Sequence, residues 1–262
     1  MAMNKDSNAY TITFAIILVV IVGGLLALIA NGLKPIQDEN LKNEKKQYIL
    51  NCLPGNKSIT RDQAGDKFAD FVKQRLILNY DGDVVNNTLL NAENAVDDKN
   101  PNDAFSIDLL KEYKTIKDVH NRNYPLFICK VEQKTYYVAP VMGKGLWAAV
   151  WGFIALDENG NQIEGAVFDH KSETPGLGAK ITEKSFIDMF TSTPKMIMNK
   201  DKYMGIKVVK GGLKEPNHQV DAIAGDRSKD SSGMMTNSVN TLLQMMDGVK
   251  SFSNVVVMAA TN

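Results

Sequence analysis

YTITFAIILVVIVGGLLALIA, residues 10–30, holds no charged residue and is apolar on nearly every face. An amphipathic surface helix keeps a polar side, so that reading fails. At 1.5 Å per residue the run covers roughly 30 Å, the hydrocarbon thickness of a bilayer. A signal peptide has an apolar segment of only about 7–15 residues, ending at a small-residue cleavage site. This run is longer, and Asn31-Gly32-Leu33-Lys34 is a poor cleavage site. The expectation is a retained anchor, residues 1–33 with the N-terminal tail. Gly23 and Gly24 mark either a face where another helix packs closely or ordinary membrane-helix glycines. Lys5 and Asp6 cancel before the helix and charges of both signs follow it, so the positive-inside rule gives no orientation.

Outward from the anchor, the 262-residue chain is balanced, with 30 Lys plus Arg against 30 Asp plus Glu. That balance gives no reason to expect nucleic acid as a partner. Cys52 and Cys129 are solitary, and His120, His170 and His218 are far apart in sequence, so no metal or iron–sulfur site is expected.

The remaining pattern mixes strands and helices without regular alternation, which is the α+β class. Pro35 and the charged stretch Gln37 to Gln47 read as a short helical stalk within a linker, residues 34–64. Phe68, Phe71, Val72 and Leu76 stand near helical spacing. Leu76 to Tyr80 reads as a strand entering a turn at Asp81-Gly82, and Asn86 to Asp103 as loop. Strands are expected over Leu126–Val131, Thr135–Val141, Trp147–Leu156, Ile163–Asp169 and Gly205–Lys210, and a helix over Ile181–Phe190. Val239, Leu242, Leu243 and Met246 predict an amphipathic helix over Asn237–Asp247, and Asn254–Met258 a last strand. The soluble domain is expected over residues 65–223, with a divergent tail over 224–262.

Three segments can carry chemistry. Gly143-Lys144-Gly145-Leu146-Trp147 lets backbone approach a flat or charged ligand, or is a strand-entry turn with a core tryptophan. Ser172-Glu173-Thr174-Pro175-Gly176-Leu177-Gly178-Ala179 is a Gly-rich loop feeding a helix, fit for a phosphate or a ring edge, or is an ordinary capped loop. Thr236 opens the last amphipathic helix, as an N-cap or as a point of phosphate attachment at the positive end of the dipole.

Gly-Leu-Trp at 145–147, Glu-Thr-Pro-Gly-Leu-Gly at 173–178, Lys210-Gly211-Gly212 and Val-Asp-Ala-Ile at 220–223 occur in an order that resembles the C-type subunit of the Na⁺-translocating NADH:quinone reductase. The resemblance runs to about Ile223. The G-type subunit of the Rnf electron-transfer complex shares the same flavin-binding domain and is the near alternative. The resemblance implies a membrane-anchored component of a sodium-pumping complex that relays electrons through FMN. It implies a phosphodiester from FMN to a threonine made by a flavin transferase, partner membrane subunits, contact with membrane lipid, and a soluble domain on the periplasmic face. It implies that Leu146, Trp147, Glu173, Thr174, Gly176, Leu177, Gly178 and Lys210 line the flavin site, Lys210 either balancing charge on the phosphate or reduced flavin or standing as a solvated surface charge. It implies no NADH site in this chain, and no Rossmann glycine fingerprint is present.

One departure bears on the attachment. The family pattern Ser-Gly-Ala-Thr-any-Thr is replaced here by Ala224-Gly225-Asp226-Arg227-Ser228. Thr236 is the only threonine between Ala224 and Asn240, and alignment back from Val239 puts Met235 at the acceptor position. The tail, with SVNTLLQMMDG at 238–248 and NVVVMAATN at 254–262, resembles the stretch after the Walker B motif of AAA ATPases. No G-x-x-x-x-G-K-[ST] loop accompanies it, so no ATPase activity is expected. The alternatives to the redox carrier are a structural subunit or fusion that has lost its covalent flavin, and an anchored extracytoplasmic ligand sensor.

Overall fold

The structure is a computed structural model that describes residues 8–55, 58–89, 96, 98–145, 147–199, 202–203, 205–209 and 216–221. The chain divides into two compact units, Met1–Glu44 and Lys45–Asn262.

Helix α1 spans Asn8–Asn51. Its most apolar window is wholly unburied, and its length and composition suffice to cross a membrane. The charged stretch Gln37 to Gln47, expected as a helical stalk, is helical and continuous with the apolar run, because α1 runs through Pro35. Pro35 supplies no N–H to the carbonyl of Asn31, so that turn lacks one backbone hydrogen bond. The last residues of α1, from Lys45 on, belong to the second unit.

That unit continues with α2, Arg61–Phe71. The Thr60 hydroxyl accepts the Gln63 N–H at 3.4 Å and the Gln63 side chain accepts the Thr60 N–H at 3.2 Å, a reciprocal cap. Val72, expected on a helix, lies instead in β1, Val72–Leu78, and the strand expected from Leu76 begins four residues earlier. Strand pairing on both sides of β1 overrides the local spacing, with Leu76 opposite Asn87 and Leu126. The loop expected from Asn86 is also corrected at its start, since β2 covers Val84–Leu89. An edge strand with one face in water needs few apolar residues, which is why Asn86-Asn87 hides it.

α3 covers Leu109–Thr115, followed by β3 Tyr124–Val131, β4 Lys134–Lys144, β5 Ala149–Leu156 and β6 Gln162–His170. With β7, Lys195–Met196, they form a seven-stranded sheet in the order β2-β1-β3-β4-β5-β6-β7, every neighbouring pair antiparallel. The helix expected over Ile181–Phe190 is broken. A 3-10 turn at Gly178–Thr182, the short helix α4 at Lys184–Ile187 and a second 3-10 turn at Asp188–Phe190 replace it. Glu183 is extended between the first two and interrupts the helix. Short strands follow: β8 Met198–Asn199 with β9 Lys202–Tyr203, and β10 Lys207–Val209 parallel to β11 Gln219–Asp221.

Alternation along β5 makes two cores. Phe153 and Ala155 face Ile49, Leu50, Phe68, Phe127 and Cys129, under the end of α1 and α2. Ile154 and Leu156 face Ile163, Ile181, Phe186, Phe190 and Val220. The chain therefore carries an α+β domain after one long apolar helix, as the pattern of the sequence predicts.

Candidate functional site

The sheet positions two turns beside each other. In the β4–β5 hairpin Lys144 pairs with Ala149, which leaves Gly145 to Ala148 as the connection. The Gly145 N–H donates to the Ala148 carbonyl at 2.5 Å and closes it. Trp147 thus does not open the strand, as expected from the sequence, but stands in the turn. It is 69 % exposed, so it is no core residue either.

The second turn leaves β6. His170 pairs with Val150, and the Lys171 N–H donates to the Ala149 carbonyl at 3.0 Å, just beyond the paired residues of the two strands. The chain then folds back through Ser172 and Glu173. The Leu177 and Ala179 N–H groups both donate to the Thr174 carbonyl, at 3.1 and 3.2 Å. Gly176 holds φ +76°, a conformation that favours glycine, and a side chain there would meet open space. The segment after Leu177 is a 3-10 turn, so the loop does not feed an α-helix and no helix N-terminus is formed for a phosphate.

Glu173 joins the two turns. Its side chain is buried, and Oε1 accepts the backbone N–H of Trp147 at 3.1 Å and of Ala148 at 3.3 Å. A carboxylate accepting backbone N–H groups makes charge-assisted bonds, stronger than those between neutral partners. A Cβ on Gly145 would collide with the same oxygen, and one on Gly178 would lie 2.6 Å from Oε2, so glycine is required where both turns close on the carboxylate. Above this buried tie, the Trp147 indole N–H donates to the Thr174 hydroxyl at 3.2 Å. Pro175 and Gly176 are exposed and Leu177 is half-buried. The surface offers an aromatic face, an aliphatic side chain and exposed backbone within two tied turns. Such groups can stack on a planar ligand and hydrogen-bond its polar edges.

The structure therefore brings together Trp147, Glu173, Thr174, Gly176, Leu177 and Gly178. Leu146, Lys210 and Thr236 lie outside the described residues, as do the helix expected at 237–247 and the strand at 254–258. One participant escapes the sequence reading. The Nδ1 atom of His170 accepts the Glu173 N–H at 3.2 Å. Its only sequence signal is a histidine three residues before the glutamate.

Residues 145–225 match the FMN-binding domain family, and residues 218–262 match the family of ATPases associated with various cellular activities, AAA. An α+β domain of this kind, with this pair of turns and an apolar helix before it in the chain, defines a membrane-associated flavoprotein whose cofactor is FMN. The C-type subunit of the Na(+)-translocating NADH-quinone reductase of Vibrio anguillarum is 28 % identical over 228 residues, covering 86 % of this chain and 87 % of that one. Its counterpart in Pasteurella multocida is 28 % identical over 256 residues, covering 96 % and 94 %. The crystal structure of the same subunit from Parabacteroides distasonis is 30 % identical, with a TM-score of 0.60 over 80 % of this chain and 94 % of that one. The NqrC structure of Shewanella oneidensis is 27 % identical, with a TM-score of 0.54 over 81 % and 94 %. The chain belongs to the NqrC family of the Na(+)-translocating NADH-quinone reductase. It is accordingly an electron-transport component of a multisubunit oxidoreductase. The tail resemblance seen in the sequence corresponds to the AAA match, which overlaps the FMN-binding match over residues 218–225.

Proposed function

We propose that this chain relays electrons through FMN inside a sodium-pumping NADH:quinone reductase. The observation that carries the reading is the tie made by Glu173, which holds an exposed Trp147 beside the Thr174–Gly178 turn in a chain of this family. When bound, FMN supplies one- and two-electron redox chemistry at its ring. The protein's own residues do the positioning. Trp147 and Leu177 offer apolar faces to the ring, the Thr174 hydroxyl fixes the indole, and Gly176 leaves room for close approach. Glu173 and Gly178 stabilise the turns from beneath. Leu146 and Lys210 complete the site by family resemblance, Lys210 as a countercharge.

Attachment follows the family chemistry in this reading: a phosphodiester joins FMN to Thr236, made by a flavin transferase. The flavin domain is residues 65–223, on the outer, periplasmic side of the membrane, and partner membrane subunits supply the NADH site and the sodium path. One apolar helix without a charge conducts no ion alone.

A second reading has its own observation. The Gly-Ala-Thr core of the attachment pattern is absent, and residues 218–262 match a different family. In that reading the tail is a fusion and the flavin is held without a covalent bond or lost. Denatured full-length protein run on a gel separates the two. A flavin-fluorescent band that disappears in Thr236→Ala supports the covalent carrier. A dark band from a host that flavinylates its other targets contradicts it.

A further inference from the structure

We infer that His170 is a positioning residue for the Trp147 platform, acting through Glu173; this rests on the reading of that platform as the seat of the flavin ring. The Glu173 backbone N–H can only donate, so the His170 Nδ1 atom that meets it at 3.2 Å must accept. The ring is thereby fixed as the tautomer with its proton on Nε2. His170 is itself rigidly placed. It closes β6 opposite Val150, and its own N–H donates to Asp169 Oδ1 at 2.7 Å. The other oxygen of Asp169, Oδ2, accepts the Tyr48 hydroxyl from the last turns of α1.

A directed path of bonds results. Asp169 holds the end of β6, His170 accepts from Glu173, and Glu173 accepts from Trp147 and Ala148. The imidazole sets where the chain turns after β6, and so sets where the Glu173 carboxylate enters the neighbouring turn. A histidine that only filled space here would be replaceable by a ring of similar size. One that acts through Nδ1 is replaceable by a side chain with an acceptor at the same position, and asparagine has one in Oδ1. Supported backbone and a supported carboxylate keep the exposed indole from sampling other rotamers.

The test uses full-length protein in detergent carrying Trp151→Phe, which leaves Trp147 as the only indole of the two in the chain. Steady-state anisotropy of Trp147 is measured without flavin, and free FMN is then titrated. The expected result is a clear fall in anisotropy in His170→Phe and the parent value in His170→Asn. FMN affinity follows the same order, weaker by up to about tenfold in His170→Phe, the effect of about one hydrogen bond. Unchanged anisotropy in His170→Phe overturns the inference, and so does an equal fall in His170→Asn. The expected anisotropy pattern with FMN affinity equal in all variants upholds the positioning role and contradicts the flavin seat, so the two failures are distinguishable.

Discussion

Beneath α2 and the end of α1, Phe127, Val138, Ala155 and the two cysteines are sealed by helices and by the neck that follows α1. On the opposite face, Ile154, Leu156 and Ile163 lie under short pieces: 3-10 turns, a single helical turn and strands of two or three residues. The Trp147–Glu173 platform, the proposed flavin seat, is at the sheet end where β4 turns into β5 and β6 ends, beside the lightly built face. Stability and recognition are thus divided. The helical face contributes large apolar burial from a few continuous elements. The two turns of the platform are tied to each other by two backbone N–H bonds to the Glu173 carboxylate and one bond from the Trp147 indole to Thr174.

The division predicts a graded set of effects. The largest belong to the sealed side of the sheet. Phe127→Ala should cost about 3–5 kcal/mol of stability, the usual range for a buried phenylalanine, seen as a lower denaturant midpoint. Asp103→Ala should cost a similar amount, about 3–5 kcal/mol, by leaving Arg75 charged and unpaired in the interior. Arg75 and Asp103 are both buried and joined by two bonds, 2.7 Å from Nε and 2.6 Å from Nη2. Equal loss of stability from Gly145→Ala would break the comparison, because that change should act mainly on the platform. Gly145→Ala and Glu173→Ala should each lower FMN occupancy by roughly tenfold while melting close to the parent, because the platform's ties contribute little to the two cores.

The sealed face is also testable through its thiols. Cys52 and Cys129 are fully buried. Burial pushes both thiols up, Cys52 further helped by the neighbouring Cys129 and opposed by the Ala155 backbone. A maleimide should label neither cysteine in native protein at a mildly alkaline pH of about 8, and both after unfolding, because the thiolate is the reactive form. The smallest expected effect is Tyr48→Phe. Removing the hydroxyl that Asp169 accepts should lower stability by about 1 kcal/mol and shift flavin emission slightly, since Asp169 stands one residue before His170.

Much of this arrangement is legible from residue order. The strands β3 to β6 can be read to within a few residues because their apolar runs are bounded by turn residues, as at Asp157 to Asn161. The helical spacing of Phe68 and Phe71 reads as a segment starting at Asp66-Lys67, five residues late, although Thr60 and Gln63 have capping spacing, and β2 escapes because an edge strand wears polar side chains. At the site, the loop residues stand out as a group, but their division of labour does not. Glu173 reaches a partner 26 positions away, and nothing local to it marks it as the buried tie. His170 is invisible for the same reason. Its function depends on a bond to a backbone N–H, which any acceptor can make. Trp147 invites a strand-core reading because local pattern cannot distinguish a residue that enters a strand from one held in the turn before it.

In the proposed function the two turns tied by Glu173 seat the flavin ring against Trp147, and the role of the platform depends on that contact. The most direct test is the flavin emission of FMN-loaded full-length protein, compared between parent and Trp147→Ala at equal flavin content. An indole stacked on the ring quenches flavin emission, so a severalfold rise in emission yield is expected in Trp147→Ala. An emission yield identical to the parent's would place the ring elsewhere and contradict the seat.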